Sequence, residues 1–277
     1  MVAPLSVLTS LESLSLEFSS PESHPGWESR GPPPVKRSIL PVLNEFCFQG
    51  IPEYLEYLVA FIDAPQLDYM EITFFGQINF DFDSPQLVQF INCTPALSPR
   101  NEAHVQFDYS SASIKLGYGT SEFVFDRLQI TTSFPESDLM LLVSSISQVC
   151  NSSLPPPSTV EDLYIESRDP QLYRENSAIE NALWLELLLP FSAVKNLYLS
   201  NNFAPDIAAV LQELIGARIT EVLPSLQNIF VEGLEDSKPS KSLQENIWQF
   251  AGARRQSGHP VAISDWDEGP DTELMSQ

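Results

Sequence analysis

One short frame recurs along this chain: an apolar residue, two others, an apolar residue, one other, and a third apolar residue. It falls at Leu11, Leu14, Leu16 and at Leu43, Phe46, Phe48. It returns at Leu67, Met70, Ile72, and in degraded form at Arg100, Ala103, Val105. Further copies are Phe125, Leu128, Ile130; Val160, Leu163, Ile165; Val194, Leu197, Leu199; and Leu226, Ile229, Val231. The first places step by 32, 24, 33, 25, 35, 34 and 32 residues. The places between are mostly polar, as at Ser13 and Ser15, Glu161 and Asp162, or Lys195 and Asn196. Such alternation predicts short strands with one buried face.

Helical stripes lie between the frames. Pro52–Ile62 aligns Leu55, Leu58, Val59 and Ile62. Ser84-Pro85 opens a helix carrying Leu87, Val88 and Ile91, with Ser84 as the expected cap and Pro85 in the first turn. Further helices are predicted over Leu139–Val149, Glu180–Leu189, Ile207–Ile215 and Leu243–Ala253. Alternating strand and helix with a period of 24–35 residues predicts stacked units that bury a continuous core, with strands made parallel by right-handed crossovers. Ile114–Leu116 suggests a hairpin strand and Val261–Ile263 a final edge strand. Residues 19–34 hold five prolines and predict an extended loop; residues 269–277 predict a disordered acidic tail. Trp248 and Trp266 are candidates to cap the last unit.

Composition narrows the partners. The chain has 277 residues, 14 Lys+Arg against 37 Asp+Glu, and a net charge of −23. That charge argues against nucleic acid or an anionic membrane as partner. The longest uncharged stretch, 139–160, contains Pro155, Pro156 and Pro157 and is no membrane span. The N-terminal residues lack the pattern of a secretory leader. The three cysteines, Cys47, Cys93 and Cys150, are odd in number and widely spaced. They suit a reducing compartment, so a cytoplasmic or nuclear location is expected.

Two frames, Leu11–Leu16 and Val194–Leu199, look like leucine-rich repeats. More specifically, four segments resemble the repeat region of F-box proteins from mushroom-forming fungi: 8–18, 62–67, 83–91 and 102–107. The likeness spans about residues 5–266. It implies an α/β fold: an irregular leucine-rich-repeat-like solenoid, a horseshoe or arc of about eight units over residues 1–268, with a parallel concave sheet and helices on the convex side. It also implies a surface that selects proteins for ubiquitination. The chain departs from the family twice. The usual Asn after the third apolar place occurs once, at Asn202. The F-box is missing, so binding of a Skp-type adaptor is not expected.

In such an array the places between the apolar residues line the concave face. The candidate partner-binding residues are Tyr69, Glu71, His104, Arg127, Asp162, Tyr164, Glu166, Tyr198, Phe230 and Glu232. Tyr164, Tyr198 and Phe230 hold the same central place in successive copies, and strands ~4.8 Å apart would stack them as a column. Carboxylates at its rim favour a basic protein partner. A slip of one residue would instead turn these rings inward.

No catalytic signature emerges. His24, His104 and His259 form no zinc pattern. There is no nucleophile elbow, P-loop or dinucleotide fingerprint. Cys47 and His104 are expected about 10 Å apart, two strands removed. The expectation is therefore a non-enzymatic protein-interaction scaffold without cofactor or metal. The alternatives are an acidic α/β hydrolase using an Asp/Glu pair, or a decayed paralogue.

Overall fold

A computed structural model describes residues 9–20, 37–76, 84–97, 101–120, 123–135, 138–151, 157–169, 179–216, 218–234 and 241–266. Its strands are β1 (Ser13–Glu17), β2 (Ser38–Ile39), β3 (Glu45–Gly50), β4 (Ile62–Asp63), β5 (Tyr69–Phe75) and β6 (Glu102–Phe107). They continue with β7 (Ser111–Thr120), β8 (Phe123–Ser133), β9 (Asp162–Ser167), β10 (Asn196–Leu199), β11 (Asn228–Glu232) and β12 (Ala262–Trp266). The helices among the described residues are α1 (Pro52–Val59), α2 (Pro85–Asn92), α3 (Leu139–Asn151), α4 (Asn181–Leu188), α5 (Ala204–Glu213) and α6 (Lys241–Gln256).

Ten strands form one sheet in the order β1-β3-β5-β8-β7-β6-β9-β10-β11-β12; β2 and β4 pair separately. The sheet is mostly parallel and is not a closed barrel. The apolar frame faces one way along it. Phe46, Met70, Leu128, Val105, Leu163, Leu197 and Ile229 are fully buried and share one core with the helices. Leu11, Leu14 and Leu16 of the first copy pack at its margin and stay partly exposed. Burying each such side chain contributes about 1.5–3 kcal/mol, so helices and sheet are held together mainly by this layer.

The expected strand order fails in the middle. The degraded copy at 103–105 does form β6, but β6 is not the neighbour of β5. Its chain turns back through β7 and again through β8, and β7 is antiparallel to both. β8 then lies against β5, and β6 against β9. Only three residues join β6 to β7 and two join β7 to β8. Links that short cannot make a parallel crossover, so a meander results. The final edge strand near 261–263 is present as β12, parallel to β11.

Helix ends also differ from expectation. Ser84 makes no cap bond; its hydroxyl is buried without a hydrogen-bond partner. The carboxylate of Glu56 on α1 caps α2 instead, accepting from the backbone N–H of Gln86 at 2.6 Å and of Leu87 at 2.8 Å. Asp138 caps α3 through the N–H groups of Met140 and Leu141. Within that helix Ser145 reaches Thr132 of β8 at 2.7 Å, satisfying two buried hydroxyls together. The chain entering β11 is fixed by Arg254 of α6, which is fully buried. Its guanidinium donates to the carbonyls of Ile219, Leu223, Pro224 and Leu226 at 3.0–3.4 Å. Leu223 there adopts φ 48°, a left-handed conformation unusual for a side chain of this size.

The tail at 269–277 lies outside the described residues, as does the proline-rich loop beyond residue 20. Trp248 is 57% exposed and does not cap the core. No helix among the described residues is long and apolar enough to cross a membrane.

Candidate functional site

The face opposite the helices carries the residues between the apolar places. Strand register sets them in rows. The central row runs Ser15, Cys47, Glu71, Gln129 and Lys115 across one half of the sheet. It continues as His104, Tyr164, Tyr198, Phe230 and Ser264 across the other.

The second half forms a column of rings. His104 and Tyr164 lie 4.2 Å apart at 4°, Tyr164 and Tyr198 4.2 Å apart at 7°, and Tyr198 and Phe230 4.6 Å apart at 9°. The spacing follows from the strands themselves, which hold equivalent side chains ~4.8 Å apart. Trp266, at the end of β12, tilts against Tyr198 at 5.7 Å and Tyr164 at 5.8 Å. It thus folds back toward the column.

Carboxylates flank the rings on both sides. His104 Nε2 stands 2.8 Å from Glu102 Oε1, and Nδ1 stands 3.4 Å from Glu166 Oε1. Burial pulls the imidazole pKa down, but the hydrogen bonds that its ring N–H groups donate to Glu102 and Glu166 overcome it and raise the value to about 9. His104 is therefore an imidazolium at neutral pH, lying flat on Tyr164. Burial pushes Glu166 up, while the hydrogen bonds from His104 and Gln106 more than compensate and leave it below its ordinary value. Gln106 Nε2 donates to Glu166 Oε2 at 2.8 Å. Asp162 is raised by burial, against the opposing bond from Asn196. Asn196 Nδ2 donates to Asp162 Oδ1 at 2.6 Å, and Asn228 Nδ2 to Asn196 Oδ1 at 2.7 Å, so an amide chain ties three strands. Glu232 accepts the N–H of Asn201 at 3.0 Å. Burial holds the Tyr164 hydroxyl well above its usual range, so it is not a base.

Seven of the ten candidate residues therefore meet: His104, Asp162, Tyr164, Glu166, Tyr198, Phe230 and Glu232. Tyr69, Glu71 and Arg127 do not join them. They lie on β5 and β8, and β5 is three strands, about 14 Å, from β6. Tyr69 donates to Glu71 at 2.9 Å. Arg127 is ion-paired with Asp68 and donates to the Ala96 carbonyl, so it braces loops at the sheet's margin. Cys47 and His104 are four strands apart, about 19 Å, which corrects the shorter separation expected from sequence order. Glu102, Gln106, Asn196 and Asn228 also hold places between the apolar residues and share this face as expected, and Trp266 joins it from β12; Glu102 and Gln106 stand two residues either side of His104, the spacing that shares a strand face.

No family model, curated protein or solved structure matches this chain.

The other half of the face holds a cavity of about 280 Å³ lined by Glu17, Glu45, Cys47 and Glu71 among others. Ser13, Ser15 and Tyr69 donate to these carboxylates. Burial, then the charges of Glu45 and Glu71, raise the Cys47 thiol, so it stays protonated and a poor nucleophile. Among the described residues no group of His, Cys, Asp or Glu is arranged to hold a metal ion.

Proposed function

We propose that this chain is a non-catalytic protein-interaction scaffold that grips a basic partner on the open face of its sheet. One observation supports this above others: four stacked rings, three of them the partly exposed side chains of Tyr164, Tyr198 and Phe230, are rimmed by carboxylates and already bear one planar cation at an end. Aromatic side chains at a surface act as contact anchors. Their faces attract cations, and nearby carboxylates add charge complementarity.

We further propose that the architecture is an irregular leucine-rich-repeat-like solenoid interrupted by the β6–β8 meander. In support, one backbone bond recurs from unit to unit. Asn44 N–H donates to Glu12, Asp68 to Asn44, Glu161 to Asn101, Lys195 to Glu161, Gln227 to Lys195 and Ala262 to Gln227, all at 2.8–2.9 Å. The proposal that this surface selects substrates for an F-box-type ubiquitin ligase stands on sequence resemblance alone.

The test is binding of arginine- and lysine-rich peptides to the full chain and to Tyr164→Ala/Tyr198→Ala. The double variant is expected to lose at least about tenfold in affinity, with far-UV circular dichroism retained and unfolding still cooperative. Unchanged affinity refutes the contact role of the column.

A further inference from the structure

The two ends of the ring column differ. At β6 it ends in His104, a flat cation against Tyr164 with carboxylates at both ring nitrogens. At β11 it ends in Phe230, with Tyr198 on one face. The next place in the row, on β12, is Ser264, which is exposed. A serine is too short to cover a phenyl face. With strands ~4.8 Å apart, the place beside Phe230 has the thickness of one flat group. Glu232 and Trp266 stand one step further along their strands, and the small, exposed Ala262 two residues before Ser264.

We propose that this place, against Phe230 and above Ser264, receives an arginine guanidinium from the partner protein. It rests on the reading of the face as a contact surface and names the side chain that is taken. Three features select arginine. The place continues a column of parallel planes, and a guanidinium is planar whereas an ammonium is not. The opposite end of the same column already shows a planar cation stacked on a ring with carboxylates at its N–H groups. Glu232, two residues along β11 from Phe230, adds negative charge at this end of the column, with its Oε2 held by the Asn201 N–H on the β10 side. The net charge of −23 draws a basic segment toward it.

The test uses the full chain, ¹⁵N-labelled, and short acetylated Gly/Ser peptides carrying arginine, lysine or tyrosine. The arginine peptide is expected to bind tightest and to shift the Ser264 amide and the Phe230 ring protons. Ser264→Phe fills the place with a fifth ring and is expected to weaken arginine-peptide binding roughly threefold to thirtyfold. Ser264→Ala leaves the place open and binding unchanged. Position 264 is exposed on an edge strand, so both variants are expected to melt like the parent. Equal binding of the arginine and lysine peptides overturns the proposal, as does tightest binding of the tyrosine peptide or undiminished binding by Ser264→Phe. Loss in Tyr164→Ala/Tyr198→Ala with retention in Ser264→Phe sinks this place but keeps the contact face. Retention in both sinks both.

Discussion

His104 links the stability of the sheet to pH over a window where few other groups titrate. Unfolded, its imidazole has a pKa of 6.5; folded, about 9. The folded state thus keeps a proton that the unfolded state releases, and stability falls as pH rises between the two values. The contribution is complete below about pH 6.5, declines through the window, and is gone above about pH 9. A difference of about 2.5 units at 1.36 kcal/mol each gives roughly 3 kcal/mol. The side chain is only 18% exposed, so solvent screening takes little from this figure. Glu102 and Glu166 face the ring from the same and the neighbouring strand, and Lys115 holds the next place in the row on β7. Glu166 titrates on the acid side and leaves the window clear. The assay is urea unfolding at intervals from pH 6 to 9.5, comparing the parent with His104→Gln, which keeps polarity without the charge. The parent is expected to lose about 3 kcal/mol more than the variant across that range. The ring carbons of His104 should titrate by NMR with a midpoint near 9. A parent-minus-variant difference that stays flat within about 0.5 kcal/mol, or a midpoint at or below 6.5, refutes the carboxylate clamp.

Two further outcomes test the frame that carries the site. Arg254→Met is expected to cost roughly 3 kcal/mol or more by chemical denaturation, since it strands four carbonyls that the guanidinium satisfies; a loss below about 1 kcal/mol counts against the clamp. Leu163→Asp places an unpaired charge at a fully buried position beneath Tyr164 and is expected to abolish cooperative thermal unfolding. A sharp melt within a few degrees of the parent would refute its burial.

Much of the site was legible because the frame fixes which residues share a face. Tyr164, Tyr198 and Phe230 hold one place in copies spaced 34 and 32 residues apart, and parallel pairing in register turns that spacing into a stack. The caps were less legible. Ser84 has the right residue type, yet Glu56 from another helix does the capping, and no local pattern announces a tertiary partner. The clamp on Leu223 was hidden for the same reason: a lone arginine on an amphipathic helix looks like a solvated one. Arg127 and Tyr69 were misplaced through strand order. Sequence adjacency was taken for spatial adjacency, and the meander broke that equivalence.

The broken order is also what completes the column. In an uninterrupted array β8 would be the neighbour of β9, and the side chain beside Tyr164 would be Gln129, whose place in the row is central on β8. The column would then be three neutral rings with an amide at its end. Because β6, β7 and β8 run in reverse spatial order, β6 meets β9 instead and brings His104 onto Tyr164, with Glu102 and Gln106 in step. The imidazolium and its carboxylates stand at this spot because the meander brings β6, and not β8, against β9. Reducing the β6–β8 segment to β8 alone, set between β5 and β9, would keep an apolar strand in the layer while removing the cation. The irregular part of this fold therefore gives the regular part its charge.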